Sequence, residues 1–121
     1  NESILIVDDE ESVGITLSTM LKDLGYRLHV VNNGTDALNL LTTKNKFDLI
    51  ILDMNMPDMS GKKVFQRIKR MEHTAKIIIS SGYSDAILGE DSFAQEVDGF
   101  LQKPYQMNDL ATLVRSVLTL E

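Results

Sequence analysis

The fold is decided near the start of the chain by the stretch Ser3-Ile4-Leu5-Ile6-Val7-Asp8-Asp9, in which four aliphatic residues lead directly into two acids. A second stretch, Leu49-Ile50-Ile51-Leu52-Asp53, has the same form and ends in one acid. Short, continuous aliphatic runs are typical of strands that are buried on both faces of a parallel sheet. Both stretches therefore predict central strands, and both place carboxylates where a strand ends.

Apolar runs alternate with amphipathic stretches five times along the 121 residues, which indicates repeated βα units. The predicted strands are Ser3–Val7, Arg27–Val31, Asp48–Leu52, Lys76–Ser80 and Gly99–Gln102. Five such units favour right-handed crossovers, with helices on both faces of the sheet. We therefore expect a single α/β domain over residues 1–121, built on a doubly wound, five-stranded parallel sheet.

A helix is predicted after each of these strands. Gly25 is expected to end the first helix, and apolar residues at helical spacing mark the second and the third. The fourth helix is placed within Ala86–Glu96, and the last helix is predicted to be capped by Asn108.

Composition limits the classes of function. The chain has no Cys, which excludes disulfides and a Cys-based zinc site. No apolar stretch approaches the roughly 20 residues of a membrane helix, so no membrane contact is expected. The net charge of −6 argues against nucleic-acid binding by this chain. Because a signal-peptide pattern is also absent, a cytoplasmic location is expected.

The three acids Asp8, Asp9 and Asp53 are predicted to share one edge of the sheet, because ligand chemistry gathers beyond the carboxyl ends of parallel strands. Three carboxylates in one place repel each other unless a cation lies among them. A hard divalent ion with oxygen ligands, above all Mg²⁺, is the natural partner. A simpler interpretation is that Asp8 and Asp9 only compensate the dipole of the next helix and that Asp53 is a turn residue.

The first turn also separates this chain from other doubly wound proteins. A Rossmann dinucleotide site needs a glycine-rich turn after the first strand, and a flavin phosphate site needs uncharged donors there. This chain has Asp8-Asp9-Glu10-Glu11 instead, and four acids repel a phosphate unless a metal intervenes. Nucleotide and flavin binding are therefore not expected.

Four motifs, in order, resemble the receiver domain of two-component response regulators, and the resemblance covers nearly the whole chain. The segment Asp53-Met54-Asn55-Met56-Pro57-Asp58-Met59-Ser60-Gly61 is similar to the family's D-x-x-M-P-x-M-x-G phosphorylation segment. The pair Asp8-Asp9 resembles its acidic pair, Ser81 its switch hydroxyl and Lys103-Pro104 its closing Lys-Pro pair. The resemblance implies the flavodoxin-like strand order 2-1-3-4-5.

The resemblance also implies a reaction. Asp53 is expected to accept a phosphoryl group from a phosphohistidine and to form an acyl phosphate. Mg²⁺ is expected to be bound by Asp9, Asp53 and the backbone carbonyl of Asn55, and more through water by Asp8. Lys103 is expected to supply further positive charge to the phosphoryl group as a point charge.

Further residue roles are implied by the same resemblance. Ser81 is expected to donate a hydrogen bond to the phosphoryl group, and Gly82 to keep the access route to it open. Phe100 occupies the position of the family's rotating aromatic switch, although a core residue is an equally good interpretation. Asn55 and Tyr83 lie at the positions that tune the lifetime of the acyl phosphate, the first by placing a water and the second by shielding. These two effects oppose each other, so no rate is predicted.

The implied partners are a histidine kinase or a histidine phosphotransfer domain. Ile15 lies off the apolar stripe of the first helix and beside the acidic pair, so it is predicted to contact the helices of such a partner. Phosphorylation-linked pairing of two copies through the face of the fourth and fifth helices is also implied by the family.

Two other functions are open. A haloacid-dehalogenase-type phosphatase also uses an Asp nucleophile and Mg²⁺, but it expects a second Asp two residues after the nucleophile, where this chain has Asn55. A receiver-fold interaction module that is never phosphorylated predicts a gap in the acid pair, the acceptor or the lysine, and this sequence has none. A receiver domain itself catalyses only its own phosphorylation and dephosphorylation.

The kind of protein to which this chain belongs is predicted from two segments and from the first residue. Residues 80–85 and 98–105 resemble receivers at the end of hybrid sensor histidine kinases, and the chain starts with Asn1 rather than Met. We therefore expect a fragment of such a kinase, with no output domain in this chain.

Overall fold

The structure, a computed structural model, describes residues 2–43, 46–54, 56, 58–71, 74–81, 97–102 and 106–119. Its strands are β1 (Ser3–Val7), β2 (Arg27–Val31), β3 (Leu49–Asp53), β4 (Lys76–Ser81) and β5 (Gly99–Gln102). They form one sheet in the order β2-β1-β3-β4-β5, and every neighbouring pair is parallel. The predicted strand order is confirmed. Strand β3 starts one residue later than predicted and includes Asp53, and β4 extends to Ser81.

The described part of the chain contains four α-helices, namely α1 (Glu11–Asp23), α2 (Gly34–Thr42), α3 (Gly61–Arg70) and α4 (Met107–Leu118). Among the described residues, no helix is long and apolar enough to cross a membrane. The predicted cap of the last helix is wrong, because the N-cap position is Gln106 and Asn108 is the second helical residue. The helix predicted within Ala86–Glu96 lies outside the described residues.

Helix α1 ends at the predicted glycine. Gly25 has a φ of 95°, a left-handed conformation that residues with a Cβ rarely adopt. Its N–H donates to the carbonyl of Lys22 at 3.0 Å, and the N–H of Tyr26 donates to the carbonyl of Leu21 at 3.3 Å. This Schellman-type ending satisfies two of the last helical carbonyls and turns the chain directly into β2.

The sheet has a separate hydrophobic core on each face, because successive strand residues point to opposite sides. In β1, Leu5 and Val7 face the core that α2 and α3 complete, whereas Ile4 and Ile6 face the core that α1 and α4 complete. All four side chains are fully buried. The doubly wound α/β fold is therefore confirmed, and burial on both faces is the reason for the continuous aliphatic run.

Two aspartates that precede strands fix the register of the sheet. The N–H of Asp48 donates to the carbonyl of Ser3 at 2.8 Å, and the carboxylate of Asp48 accepts the N–H of Ser3 at 2.8 Å. Asp98 makes the equivalent pair of bonds with Ile77, both at 2.8 Å. Each aspartate thereby ties the start of its own strand to the start of the neighbouring strand, and so determines where the carboxyl ends fall.

Arg115 connects α4 to the beginning of the chain at the amino edge of the sheet. Its guanidinium donates to the carboxylate of Glu2 at 3.0 Å and to the hydroxyl of Tyr26 at 2.8 Å. The guanidinium carbon also lies 5.4 Å from the centre of the Tyr26 ring. An exposed ion pair of this kind adds little stability by itself, but it brings the residue before β1 and the last helix together.

We expect Asp98→Ala to lower the free energy of unfolding by about 1–2 kcal/mol, because the partly buried N–H of Ile77 loses its charged acceptor. Urea unfolding of the variant and the unsubstituted protein measures this difference. The matched control is Asp23→Ala, which removes an exposed acid from the last residue of α1. An effect of Asp98→Ala no larger than that of the control would contradict the register role.

Candidate functional site

Three carboxylates converge at the carboxyl edge of the sheet. Asp53 is the last residue of β3, and Asp8 and Asp9 directly follow β1, the neighbouring strand. Val7 and Leu52 are paired in register, so Asp8 and Asp53, which follow them, lie side by side. One carboxylate oxygen from each of the three acids lies within 4.8 Å of the other two. The predicted acidic cluster is therefore present.

The cluster combines two buried carboxylates with an exposed one. Asp8 and Asp53 are only 2% and 1% exposed, and their Oδ2 atoms are inaccessible to solvent, whereas Asp9 is exposed. The backbone also holds Asp8 in place, since its Oδ1 accepts the N–H of Glu10 at 2.9 Å and its own N–H donates to the carbonyl of Val31 at 3.1 Å. Two buried negative charges beside a third are costly unless positive charge compensates them.

The chemistry of the donors fits Mg²⁺. All three side chains offer carboxylate oxygens, the hard ligands that Mg²⁺ prefers, and the group contains neither His nor Cys. Compensation of a helix dipole explains acids close to the start of α1. It does not explain Asp53, because this residue belongs to a different strand and yet completes the same cluster.

Strand β4 brings hydroxyl groups to the same edge. Ser80 is the in-register partner of Asp53, and Ser81 is the last residue of the strand. Both serines are buried, with 1% and 4% exposure. The N–H of Met54 donates to the carbonyl of Ser80 at 3.0 Å, so the chain that follows Asp53 stays attached to β4. The predicted switch residue Ser81 therefore lies one position beyond the neighbour of Asp53.

The loop after Asp53 is anchored by the residues that give its motif. Met56 is buried in the core between the sheet and helices α2 and α3, and Met59 is partly buried against that core. The N–H of Gly61 donates to the carbonyl of Met54 at 3.0 Å. A Cβ on Gly61 would overlap the carbonyl oxygen of Asp53 and would lie 2.7 Å from the Cα of Met54. The methionines and the glycine thus bring the loop back against Asp53.

Comparison with known proteins agrees with this geometry. A sequence profile of the response regulator receiver domain matches residues 4–115. The chain belongs to the response regulator receiver domain family. It is thus a phosphoacceptor domain of two-component systems, and the haloacid-dehalogenase-type phosphatase is not supported. Receiver domains interact with histidine kinases or phosphotransfer partners, and they typically bind Mg²⁺.

Individual relatives show how widely this receiver domain is shared. The chain is 31% identical to sporulation initiation phosphotransferase F of Bacillus subtilis over 121 residues, which cover 100% of the chain and 97% of that protein. It is 33% identical to sensor histidine kinase RcsC of Escherichia coli over 117 residues, which cover 97% of the chain but only 12% of that kinase.

Solved structures agree in fold. A signal receiver domain from Vibrio parahaemolyticus superposes with a TM-score of 0.88 at 30% identity, covering 98% of the chain and 90% of that structure. Response regulator TrrA of Thermotoga maritima, solved in complex with Mg²⁺-BeF, superposes with a TM-score of 0.86 at 32% identity, covering 97% of the chain and 99% of that structure.

The receiver domain carries an exposed apolar residue beside the acidic cluster. Ile15 on α1 is 60% exposed, as its position off the apolar stripe predicts. It borders a groove of about 590 Å³ that begins at Asp8 and Glu11. The groove extends to Val30 of β2, which is 42% exposed. Sequence reasoning missed Val30, because an edge strand does not need to alternate strictly between buried and exposed residues.

Phe100 of the receiver domain is not a core residue. Its side chain is 40% exposed, whereas its neighbour Leu101 is 5% exposed and belongs to the core. Phe100 borders a groove of about 490 Å³ that Leu113 and other residues of α4 also line. This exposure removes the alternative that the residue serves only as core, and the switch role stays a prediction.

The structure also reveals one residue of the phosphorylation segment that sequence reasoning missed. Asp58 accepts hydrogen bonds from the N–H groups of Gly34 and Thr35 at the start of α2. Desolvation by neighbouring groups works to raise the pKa of Asp58, but these bonds and that of the Thr35 hydroxyl outweigh it, so the pKa lies below its ordinary value. The family motif leaves this position unspecified, and no local pattern signals a contact 24 residues away in sequence.

Four predicted site residues, Asn55, Gly82, Tyr83 and Lys103, lie outside the described residues. Their roles therefore stay predictions. The described part of the site consists of Asp8, Asp9, Asp53 and Ser81.

We expect Gly61→Ala to lower the free energy of unfolding by about 1–3 kcal/mol, because the added Cβ meets backbone atoms of β3 and its loop that cannot move aside. Thermal or urea unfolding measures the effect. Gly14→Ala is the matched control, since its Cβ would meet only the Cγ1 of exposed Val30 at 3.0 Å. Alanine favours a helix interior over glycine, so the control is expected to be as stable as the unsubstituted protein or more stable. Equal losses in both variants would contradict the close approach.

Proposed function

We propose that the carboxylate of Asp53 is the phosphoacceptor of this receiver domain. An oxygen of Asp53 attacks the phosphorus of a phosphohistidine, the new P–O bond forms as the P–N bond breaks, and the imidazole nitrogen keeps the electron pair and takes up a proton. The observation that carries the proposal is the convergence of three carboxylates on adjacent strand ends, with oxygens within 4.8 Å of each other.

Mg²⁺ is the proposed cofactor, held by Asp9, Asp53 and the backbone carbonyl of Asn55, with Asp8 acting more through water. When bound, the ion neutralises the phosphoryl oxygens. The residues around it have separate tasks. Asp53 supplies the nucleophile, while Asp8 is oriented by its bond from the N–H of Glu10 and keeps negative charge directed at the cation.

The remaining residues are proposed to recognise the phosphoryl group and to respond to it. Lys103 supplies positive charge, and the hydroxyl of Ser81 donates a hydrogen bond to a phosphoryl oxygen. Phe100 is proposed to move inward when Ser81 forms this bond, and its exposed side chain is compatible with an outward starting state. Gly82, Asn55 and Tyr83 are proposed to control access and the lifetime of the acyl phosphate.

The proposed donor is the phosphohistidine of a histidine kinase or of a histidine phosphotransfer domain. Ile15 and Val30 offer exposed apolar side chains in a groove that is lined mainly by polar residues and reaches Asp8, directly beside the acidic cluster. A helix of the donor that covers Ile15 brings its histidine to the carboxyl edge of the sheet. Pairing of two phosphorylated copies through the face that includes the fourth predicted helix is proposed as a later step.

We propose that this chain is the receiver part of a hybrid sensor kinase and that it lies in the cytoplasm. We also propose that the chain itself does not bind nucleic acid. The net charge of −6 supports the last point. The relation to sensor kinases such as RcsC of Escherichia coli and CckA of Brucella abortus, of each of which the chain spans 12%, supports the first.

We expect intact-protein mass spectrometry to show a phosphoryl adduct after incubation with acetyl phosphate and Mg²⁺. The adduct is expected to disappear with EDTA and in Asp53→Asn, because either change removes a required part of the reaction. Asp36→Asn, an exposed acid in the first turn of α2, is the control and is expected to be modified normally. An adduct that persists in Asp53→Asn would contradict the assignment of the acceptor. Absence of any adduct, also with a phosphorylated kinase, would favour a receiver-fold module that is never phosphorylated.

We expect Ile15→Asp to slow phosphoryl transfer from a phosphorylated kinase or phosphotransfer domain at least tenfold, while phosphorylation by acetyl phosphate stays within twofold. A buried apolar contact is worth about 1.5–3 kcal/mol, and a small phosphodonor does not use it. Leu24→Asp, at the other end of α1 and 45% exposed, is the matched control. Equal losses with both kinds of donor would contradict a docking role.

A further inference from the structure

The side chain of Asp58 connects the phosphorylation segment to another part of the fold. Its Oδ1 accepts the N–H of Gly34 at 3.2 Å. Its Oδ2 accepts the N–H of Thr35 at 3.1 Å and the hydroxyl of Thr35 at 3.0 Å. Both carboxylate oxygens are thus engaged by the first two residues of α2, and three hydrogen bonds hold the loop that follows Asp53 to this helix.

Helix α2 does not need Asp58 as its cap. Its own N-cap residue, Asn33, accepts the N–H of Asp36 at 2.7 Å through its side-chain oxygen. A cap of this kind is what an ordinary helix start requires. The first N–H groups of a helix have no partner within it, and Asp58 accepts two of those that Asn33 leaves, namely the N–H groups of Gly34 and Thr35. Because Asp58 belongs to the loop after Asp53, each of these bonds also ties that loop to the helix.

The segment that leads from β2 into α2 also contacts Asp8, another member of the acidic cluster. The carbonyl of Val31, at the end of β2, accepts the N–H of Asp8 at 3.1 Å. Two residues after Val31 comes the cap of α2, and Gly34 and Thr35 then bind Asp58. One short connection therefore holds the backbone at Asp8 on one side and the loop after Asp53 on the other.

Close packing leaves this connection little room to move. A Cβ on Gly34 would lie 2.8 Å from the Cγ2 of Val64 and 3.2 Å from the Cβ of Met59. Met59 directly follows Asp58, and its side chain packs against the core. The hydrogen bonds and the packing thus act on neighbouring residues of the same loop, and both hold it against the start of α2.

We propose that Asp58 is a positioning residue of the phosphorylation site, which acts by holding the Asp53 loop to the start of α2 and so keeps the three carboxylates at their mutual distances. The assignment rests on the proposed function, since it concerns the Mg²⁺ affinity of the same acids. Asp58 touches neither the cation nor the phosphoryl group in this role. The hydrogen bonds that lower its pKa also keep it charged, and hence a strong acceptor, at neutral pH.

The test compares Asp58→Ala with Asp36→Ala. Both variants remove an exposed carboxylate near the start of α2, but the side chain of Asp36 bonds to Asn33 rather than to the loop. Mg²⁺ is titrated while the amide NMR signals of Asp8 and Asp9 are followed. Without Mg²⁺, hydrogen exchange of the Thr35 amide reports whether the contact is lost. Phosphorylation by acetyl phosphate is then measured against Mg²⁺ concentration.

Loss of groups that orient metal ligands commonly weakens metal binding about tenfold or more. We expect Asp58→Ala to raise the Kd for Mg²⁺ by about that factor and to speed exchange of the Thr35 amide, while Asp36→Ala changes the Kd less than twofold. Asp58→Asn is expected to lie between, because an amide offers one acceptor oxygen. Thr35→Val removes only the bond from the Thr35 hydroxyl to Asp58. If Asp58→Ala does not fold, the two milder variants, Asp58→Asn and Thr35→Val, provide the test.

Two outcomes would overturn the role of Asp58 and leave the proposed function intact. In the first, the unsubstituted protein binds Mg²⁺ and is phosphorylated, and the Asp58→Ala variant binds Mg²⁺ with equal affinity. In the second, Asp58→Ala and Asp36→Ala lose Mg²⁺ affinity equally. The first outcome leaves Asp58 with a role in stability only, and the second attributes the effect to charge near the helix end. An unsubstituted protein that neither binds Mg²⁺ nor accepts a phosphoryl group would overturn the proposed function itself.

Discussion

Mutual repulsion among Asp8, Asp9 and Asp53 is the constraint on which the rest of this structure depends. Two of these carboxylates are buried, and all three offer oxygens within 4.8 Å of each other. Charges of one sign at such distances separate unless rigid elements hold them. The sheet supplies that rigidity, because β1 and β3 are packed on both faces and joined in register up to the residues that precede the acids.

The rigidity extends beyond the central strands. Asp48 and Asp98 fix the starting points of β3 and β5, so the carboxyl ends of these strands fall at defined positions. Gly61 then brings the start of α3 against the backbone of Asp53, and Asp58 ties the intervening loop to α2. The positions that distinguish the phosphorylation segment therefore mostly serve to place the loop, by core packing at Met56 and Met59 and by close backbone approach at Gly61, and its chemistry is confined to very few side chains.

Sequence patterns were sufficient for the elements that depend on burial. The continuous aliphatic runs locate the buried strands β1, β3 and β4, and the predicted bounds of β1, β2 and β5 are correct. Gly25 marks the end of α1 because only its left-handed backbone is needed. Patterns are weaker where several polar residues compete for one task, as at α4, where the sequence predicts a cap at Asn108 and the N-cap position is Gln106. A contact such as that of Asp58 with Gly34 depends on the assembled fold, and no periodicity encodes it.

The acidic cluster is predictable once the parallel strands are known. Parallel strands end together, so acids that follow two adjacent central strands must meet at one edge. The exposure of Phe100 was not predictable, since an aromatic residue on an edge strand can pack inward or outward with a similar pattern of neighbours.

The contact of Arg115 with Glu2 and Tyr26 has a consequence for the architecture of longer proteins. It brings the residue before β1 and the final helix together at the amino edge of the sheet, on the opposite side from the carboxylates. A module with adjacent entry and exit points can be inserted between other segments without strain on its interior. Tethers that leave from that edge would start on the opposite side of the sheet from the acidic cluster.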